Sequence, residues 1–227
     1  MKKVFLPILF LAFFFNNSLE AQTGIRFGFR AGYNIATQYG SIPPDITYDV
    51  NSIVRHGFSG GILLFFPITE SFGVQQEFLY SLKGSRQQIT MTEPPVSTST
   101  VYNINYFELP ILFRYTFVNI GNFGIYGSTG FGLSMLLNGE YTVDGVVDIG
   151  GGVQVPFDES GNTDGVDKFD YSFIYGLGLT FSLFNQDCFF DYRQTIGWNT
   201  LMMPTITGGD PAPLRNQTYT LSLGMYF

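Results

Sequence analysis

Apolar and polar side chains alternate one by one along several stretches of the chain. The clearest runs from Phe169 to Leu183. Phe169, Tyr171, Phe173, Tyr175, Leu177, Leu179, Phe181 and Leu183 share one face. Asp170, Ser172, Ile174, Gly176, Gly178, Thr180 and Ser182 share the other. Successive side chains of a strand point to opposite sides, so the pattern predicts a strand with one greasy and one mostly polar face. Strands of soluble proteins average about 5–6 residues, whereas a tilted strand crossing a bilayer needs about 9–11. The same alternation predicts strands over Gly24 to Ala36, Gly57 to Pro67, Phe72 to Lys83, Val101 to Phe117, Phe123 to Leu137, Cys188 to Trp198 and Asn216 to Phe227. It is weakest in the second of these, where Phe58, Ile62, Leu64 and Phe66 face one way and Leu63 and Phe65 the other.

The connections alternate long and short. Long polar stretches follow Ala36 (with Pro43 and Pro44), cover Gly84 to Thr100 and Asn138 to Lys168, and end with Asn199 to Arg215, which carries Pro204, Pro211 and Pro213. Short links lie at Pro67 to Ser71, Asn119 to Asn122 and Phe184 to Asp187. Within the longest loop, Tyr141 to Phe157 is expected to extend the neighbouring strands as a hairpin. Transmembrane barrels have short periplasmic turns and longer extracellular loops. Eight such strands beginning with a long loop put both termini in the periplasm. The fold expected is therefore an all-β, eight-stranded antiparallel up-and-down transmembrane β-barrel. Closure also removes strand edges that hydrocarbon could not satisfy by hydrogen bonding.

Eight strands enclose an interior just wide enough for side chains. The inward positions include Arg26, Arg30, Arg114 and Arg193 and, against them, Glu77, Glu108 and Asp191. Charges withdrawn from water need partners, so these seven are expected to form a paired polar cluster in a plugged lumen. Inward glycines such as Gly28, Gly130, Gly132, Gly176 and Gly178 leave room for the long side chains. Pro110 has no N–H to give to a ladder, and a bulge or a lost bond is expected there. At the C-terminus Tyr219, Leu221, Leu223, Met225 and Phe227 form one face of the closing strand. That pattern resembles the signal read by the machinery that assembles barrels in bacterial outer membranes.

Met1-Lys2-Lys3, an apolar run from Val4 to Phe15 and the small residue Ala21 make a secretory signal peptide. Cleavage is expected after Ala21, giving residues 1–21 as leader and 22–227 as the barrel domain. Aromatics make up 18% of the chain, with 25 Phe and 14 Tyr, as in outer-membrane barrels. Removal of the leader takes Lys2, Lys3 and Glu20 and leaves 9 basic and 17 acidic residues, a net charge of −8. An acidic surface argues against nucleic acid as a partner. The lone Cys188 excludes an internal disulfide, and with a single histidine it makes a zinc site implausible.

Several segments carry a family resemblance: RFGFRAGYNIA at Arg26 to Ala36, QQEFLYSLKG at Gln75 to Gly84, YFELPILFRY at Tyr106 to Tyr115 and IYGSTGFGLSMLL at Ile125 to Leu137. Together these resemble the small outer-membrane β-barrel family of Bacteroidota that includes PorT. The Glu108-Leu109-Pro110 step is the most specific part. The resemblance implies a barrel in the outer membrane of a Gram-negative bacterium.

Chemistry is thin. His56 would need a serine on its own face for acyl hydrolysis, and Ser59, three residues on, points the other way on a regular strand. Asn162, Asp164 and Asp167 beside Gly161 and Gly165 lack the closing Glu of an EF-hand loop, so they read as a solvated acidic loop. Gly150 to Gly152 lack the strand–loop–helix setting of a phosphate cradle. No cofactor or metal is expected. The expected role is non-enzymatic, structural or interactive, through extracellular loops or a periplasmic partner. The expected associates are outer-membrane lipid and, during biogenesis, the assembly machinery. A narrow transporter or ligand receptor is the alternative, and a lipid-modifying enzyme a more distant one.

Overall fold

The computed structural model describes residues 24–40, 48–92, 95–150, 153–162, 167–184, 186–199, 201–203 and 212–227. The expected leader (residues 1–21), Pro43, Pro44, Asp164, Pro204 and Pro211 lie outside them.

The described chain is a single antiparallel sheet of strands β1 (Arg26–Gly40), β2 (Tyr48–Ile53), β3 (Arg55–Pro67), β4 (Phe72–Thr92), β5 (Pro95–Ile120), β6 (Phe123–Asp148), β7 (Gln154–Asn162), β8 (Phe169–Leu183), β9 (Gln186–Gly197), β10 (Leu201–Met203) and β11 (Ala212–Tyr226). Eight of them close a ring in the order β1-β3-β4-β5-β6-β8-β9-β11, and β11 pairs back onto β1 from Gly28↔Tyr226 to Gly40↔Leu214. The remaining three prolong it at one end: β2 pairs with β4, β7 with β6 and β10 with β11. The eight-stranded up-and-down barrel expected from the alternation is the fold observed.

The two ends of the barrel differ. At one end β3–β4, β5–β6 and β8–β9 are joined by tight turns, and Gly24 and Phe227 lie there too. At the turn between β5 and β6, Gly121 takes a positive φ of 58°, a conformation that suits a residue without Cβ. At the other end β4, β5 and β6 run far past the ring. The 26 residues of β5 span about 85 Å at the usual rise per residue, more than twice what a bilayer crossing needs. The described residues of the stretch Gly84 to Thr100, expected as a loop, are strand instead, in β4 to Thr92 and in β5 from Pro95. The expected hairpin above the barrel is present as the end of β6 paired with β7, from Glu140↔Asn162 to Asp148↔Gln154. Strands β2, β4, β5, β6 and β7 thus form a projecting sheet, the arm.

Face assignment within the barrel follows the alternation. Phe27, Phe29, Phe58, Ile62, Ile111, Phe113, Phe131, Leu177 and Leu223 are exposed on the outside, while Arg30, Glu77, Asp191 and Arg193 are buried within. On β4 the outer apolar run is Phe72 to Leu82, and on β5 it is Phe107 to Phe117, each the length of a membrane crossing. Where β5 passes Leu137 of β6 the register shifts between Asn105 and Tyr106. One extra residue in a strand exchanges its faces beyond that point. Below the shift Phe131, Leu133 and Met135 of β6 look outward. Above it the outward set is Glu140, Thr142, Asp144 and Val146, while Val143 is buried.

Pro110 shows the expected lost bond without a bulge. The β4–β5 register is the same on either side, but the rungs opposite Glu77 and Phe78 are missing. The Gln76 side chain, on the outer face, fills the gap. Its amide donates to the carbonyl of Glu77 at 3.0 Å and to that of Pro110 at 3.1 Å. The bulges nearby lie elsewhere, at Asn105/Tyr106 and at Thr116/Val118.

Candidate functional site: the lumen

Four strands supply the centre of the lumen. Arg30 comes from β1, Glu77 from β4, Asp191 and Arg193 from β9, and Ser222 from β11. Arg193 donates through Nη1 to both carboxylate oxygens of Glu77, at 2.8 and 2.9 Å. Strands β4 and β9 stand opposite each other in the ring, so this pair bridges the full width of the barrel. Arg30 donates to Glu77 at 2.8 Å and reaches Asp191 at 3.5 Å. Arg193 Nη2 donates to Asp191 at 2.7 Å. Each arginine therefore touches both acids, and the four make a closed, charge-balanced quartet. Ser222 accepts from Arg30 at 2.6 Å and donates to Asp191, tying β11 to the same knot. The alternation forces these residues inward. Their mutual pairing makes that placement tolerable, because a buried charge without a partner is costly.

The other members of the expected cluster are placed differently. Arg114 has no carboxylate within ion-pair distance among the described residues. Its guanidinium carbon sits 3.5 Å from the centroid of the Tyr126 ring, with Phe65, Phe189 and Tyr226 also around it. It donates to the Tyr226 hydroxyl at 2.5 Å. That hydroxyl donates to Gln75 Oε1 at 2.8 Å, and the Gln75 amide donates to Glu77 at 2.5 Å. Arg114 thus sits in an aromatic box toward the turn end, linked to the quartet by relay. The rings fit because the wall positions beside them lack side chains. A Cβ on Gly178 would fall 2.3 Å from the Tyr126 ring, and one on Gly224 2.1 Å from the Phe189 ring. The inward glycines make room for aromatics as well as for charges.

Arg26 is at the rim of the turn end, half exposed, and pairs with Asp187 at 2.9 Å rather than with the cluster. Glu108 lies toward the arm end and pairs with Lys83; Ser134 donates to it at 3.1 Å. Lys83 is an inward residue whose pairing the alternation did not disclose. Asp170 of β8 is likewise buried, accepting from Asn216 at 2.9 Å. Its inward position was visible in the alternation of Phe169 to Leu183. Asn34, Gln38, Ser81 and Ser85 continue the polar filling. A cavity of about 30 Å³ between the quartet and the Lys83–Glu108 pair is the space left there, room for about one or two waters.

His56 is on the outside, stacked on Tyr33, with the Tyr33 hydroxyl 2.7 Å from Nδ1. Ser59 faces the lumen and donates to Asn34 at 3.2 Å. The two residues that acyl hydrolysis would need together are on opposite faces of β3. Among the described residues no group of three or more His, Cys, Asp and Glu is placed to hold a metal ion. The C-terminal set Tyr219, Leu221, Leu223, Met225 and Phe227 faces outward, and Phe227 packs on Phe29 with ring centroids 5.6 Å apart.

Among curated proteins, no sequence matches the chain. Among solved structures it is similar to the attachment invasion locus protein Ail of Yersinia pestis, at 16% identity and TM-score 0.38, over 90% of this chain and 100% of that one. It is also similar to Neisserial surface protein A, at 14% identity and TM-score 0.44, over 90% and 100%. A third is OprG of Pseudomonas aeruginosa, at 10% identity and TM-score 0.45, over 89% and 94%. The sequence model described as "Outer membrane protein beta-barrel domain" matches residues 20–201. A match over that much of the chain, borne by a closed barrel with its rings outside and its ions inside, makes the protein a member of the outer membrane protein β-barrel domain family.

Proposed function

We propose that the protein is a sealed, non-catalytic anchor that carries an interaction sheet clear of the outer membrane. The observation that carries this reading is the Arg193–Glu77 pair spanning the lumen, with Arg30 and Asp191 closing the quartet around it. A solute path would have to break several buried, charge-assisted hydrogen bonds at once. The arm lies at the end opposite the tight turns, so by the usual asymmetry of outer-membrane barrels it faces the cell exterior and both termini face the periplasm. The outward C-terminal face from Tyr219 to Phe227 is then the segment offered to the assembly machinery, and lipid is the solvent of the aromatic band. The kinship with the Bacteroidota family that includes PorT belongs to the same proposal, supported by the Glu108-Leu109-Pro110 step and its Gln76 patch.

The test is conductance. Purified protein in planar bilayers or dye-loaded vesicles is expected to be silent to ions and small solutes. Steady flux through the unaltered protein would overturn the sealed-anchor reading in favour of a narrow transporter.

A further inference from the structure

The arm ends in a strand with an unused edge. Among the described residues β7 pairs with β6 alone, so one row of its backbone donors and acceptors has no strand beside it. Its outward side chains are Gln154, Pro156, Asp158, Ser160 and Asn162, and Val155 is exposed as well. Asp158 stands directly opposite Asp144 of β6, whose other cross-strand neighbour is Ser99 of β5. Like charges facing each other across a sheet repel. Both carboxylates are exposed, and among the described residues neither has an ion pair or hydrogen bond.

We propose that β7 is a docking edge for an extended segment of another protein that carries a lysine or arginine opposite Asp158. This rests on the reading of the arm as an interaction sheet. A strand added beside β7 would satisfy the free backbone groups, the mode of recognition known as strand addition. Its side chain level with Asp158 would extend the row Ser99–Asp144–Asp158, and a cation there would turn a repulsive row into an attractive one. The same geometry argues against a second copy of the chain. Asp158 is the midpoint of β7, so a symmetric antiparallel pairing of two β7 strands would line up four carboxylates. The acids therefore keep the edge from pairing with itself, as charges on natural edge strands commonly do, while a basic strand is left a place.

The experiment uses the whole protein in lipid nanodiscs and three short peptides alternating valine and threonine. One carries a central lysine, one a central glutamate, and one the lysine with N-methylated backbone. Binding is read by fluorescence anisotropy, and hydrogen exchange reports protection of the β7 amides. The lysine peptide is expected to bind about tenfold more tightly than the other two and to slow exchange in residues 154–162. In the Asp158→Lys protein the preference is expected to reverse toward the glutamate peptide. Equal binding of the N-methylated peptide, absence of protection in β7, or an unchanged preference in Asp158→Lys would each overturn the proposal. Dye leakage from vesicles made with the same protein reports separately on the sealed-anchor reading, so the two can fail independently.

Discussion

Strand β5 passes through two environments, and its side chains change with them. From Phe117 to Phe107 its outward residues are large and apolar, while Arg114 and Glu108 look inward. From Asn105 to Ser97 the outward residues are Asn105, Asn103, Val101, Ser99 and Ser97, and the buried ones are Ile104, Tyr102 and Thr100. The barrel is inside out by the standards of a soluble protein. The arm has the ordinary polarity, with Tyr102, Ile104 and Tyr106 clustered against Leu136 and Tyr141. The polarity is set by the solvent on the outer face and not by strand pairing, which runs from one region into the other. What holds the two regions differs accordingly. Within hydrocarbon the polar groups carry the specificity, because each one left unmatched is expensive. In the arm the apolar cluster carries it, and the surface charges are left to repel or to recruit.

That contrast can be broken at several points. The largest effect is expected for Glu77→Ala, which leaves Arg30 and Arg193 buried with one acid between them. Loss of one member of a buried pair costs about 3–5 kcal/mol, so urea unfolding of the refolded protein in lipid vesicles is expected to shift by that amount. A shift under about 1 kcal/mol would show that water, not Glu77, satisfies the arginines.

A more pointed case is Gln76→Leu. It makes the lipid-facing band more apolar, and by hydropathy alone it should stabilise. If the Gln76 amide closes the gap left by Pro110, the variant instead loses about 1–3 kcal/mol, since the carbonyls of Glu77 and Pro110 are then unmatched in hydrocarbon. A neutral or stabilising outcome in the same unfolding assay would remove Gln76 from the account. The smallest effect sits in the arm. Asp144→Asn removes one of two facing carboxylates and is expected to stabilise the β6–β7 hairpin by about 0.2–1 kcal/mol, read as slower hydrogen exchange there with barrel exchange unchanged.

How legible all this was in the sequence tracks the same contrast. Strand β8 was bounded correctly at Phe169 and Leu183, because hydrocarbon on one side and ions on the other give maximal alternation. Ser97, Ser99 and Val101 alternate with Thr98, Thr100 and Tyr102, where the two faces differ little in polarity. That weak contrast is why Gly84 to Thr100 read as a loop. The face exchange of β6 above Leu137 also went unread, since a bulge adds a residue without any composition of its own.

Inside the lumen, alternation gives the face of a residue but not its height or its neighbour across the barrel. Arg30, Glu77, Asp191 and Arg193 meet in the quartet. Arg114 was expected among them and lies instead in the aromatic box of Tyr126, Phe189 and Tyr226. Arg26 stops at the rim with Asp187 because its strand has only just entered the barrel. The Lys83–Glu108 pairing depended on strand register, which fixes relative height and is not written in either strand alone.

The claim on which the rest depends is that the rings of the barrel meet hydrocarbon while the arm meets water. Nitroxide labels at Phe113, Phe131 and Leu223, and at Asp144 and Asp158, read it directly in lipid vesicles through their relative accessibility to oxygen and to a water-soluble nickel chelate. The first three are expected to favour oxygen and to be shielded from nickel, and the last two to show the reverse. Nickel access at Phe113, Phe131 and Leu223 equal to that at Asp144 would contradict the account.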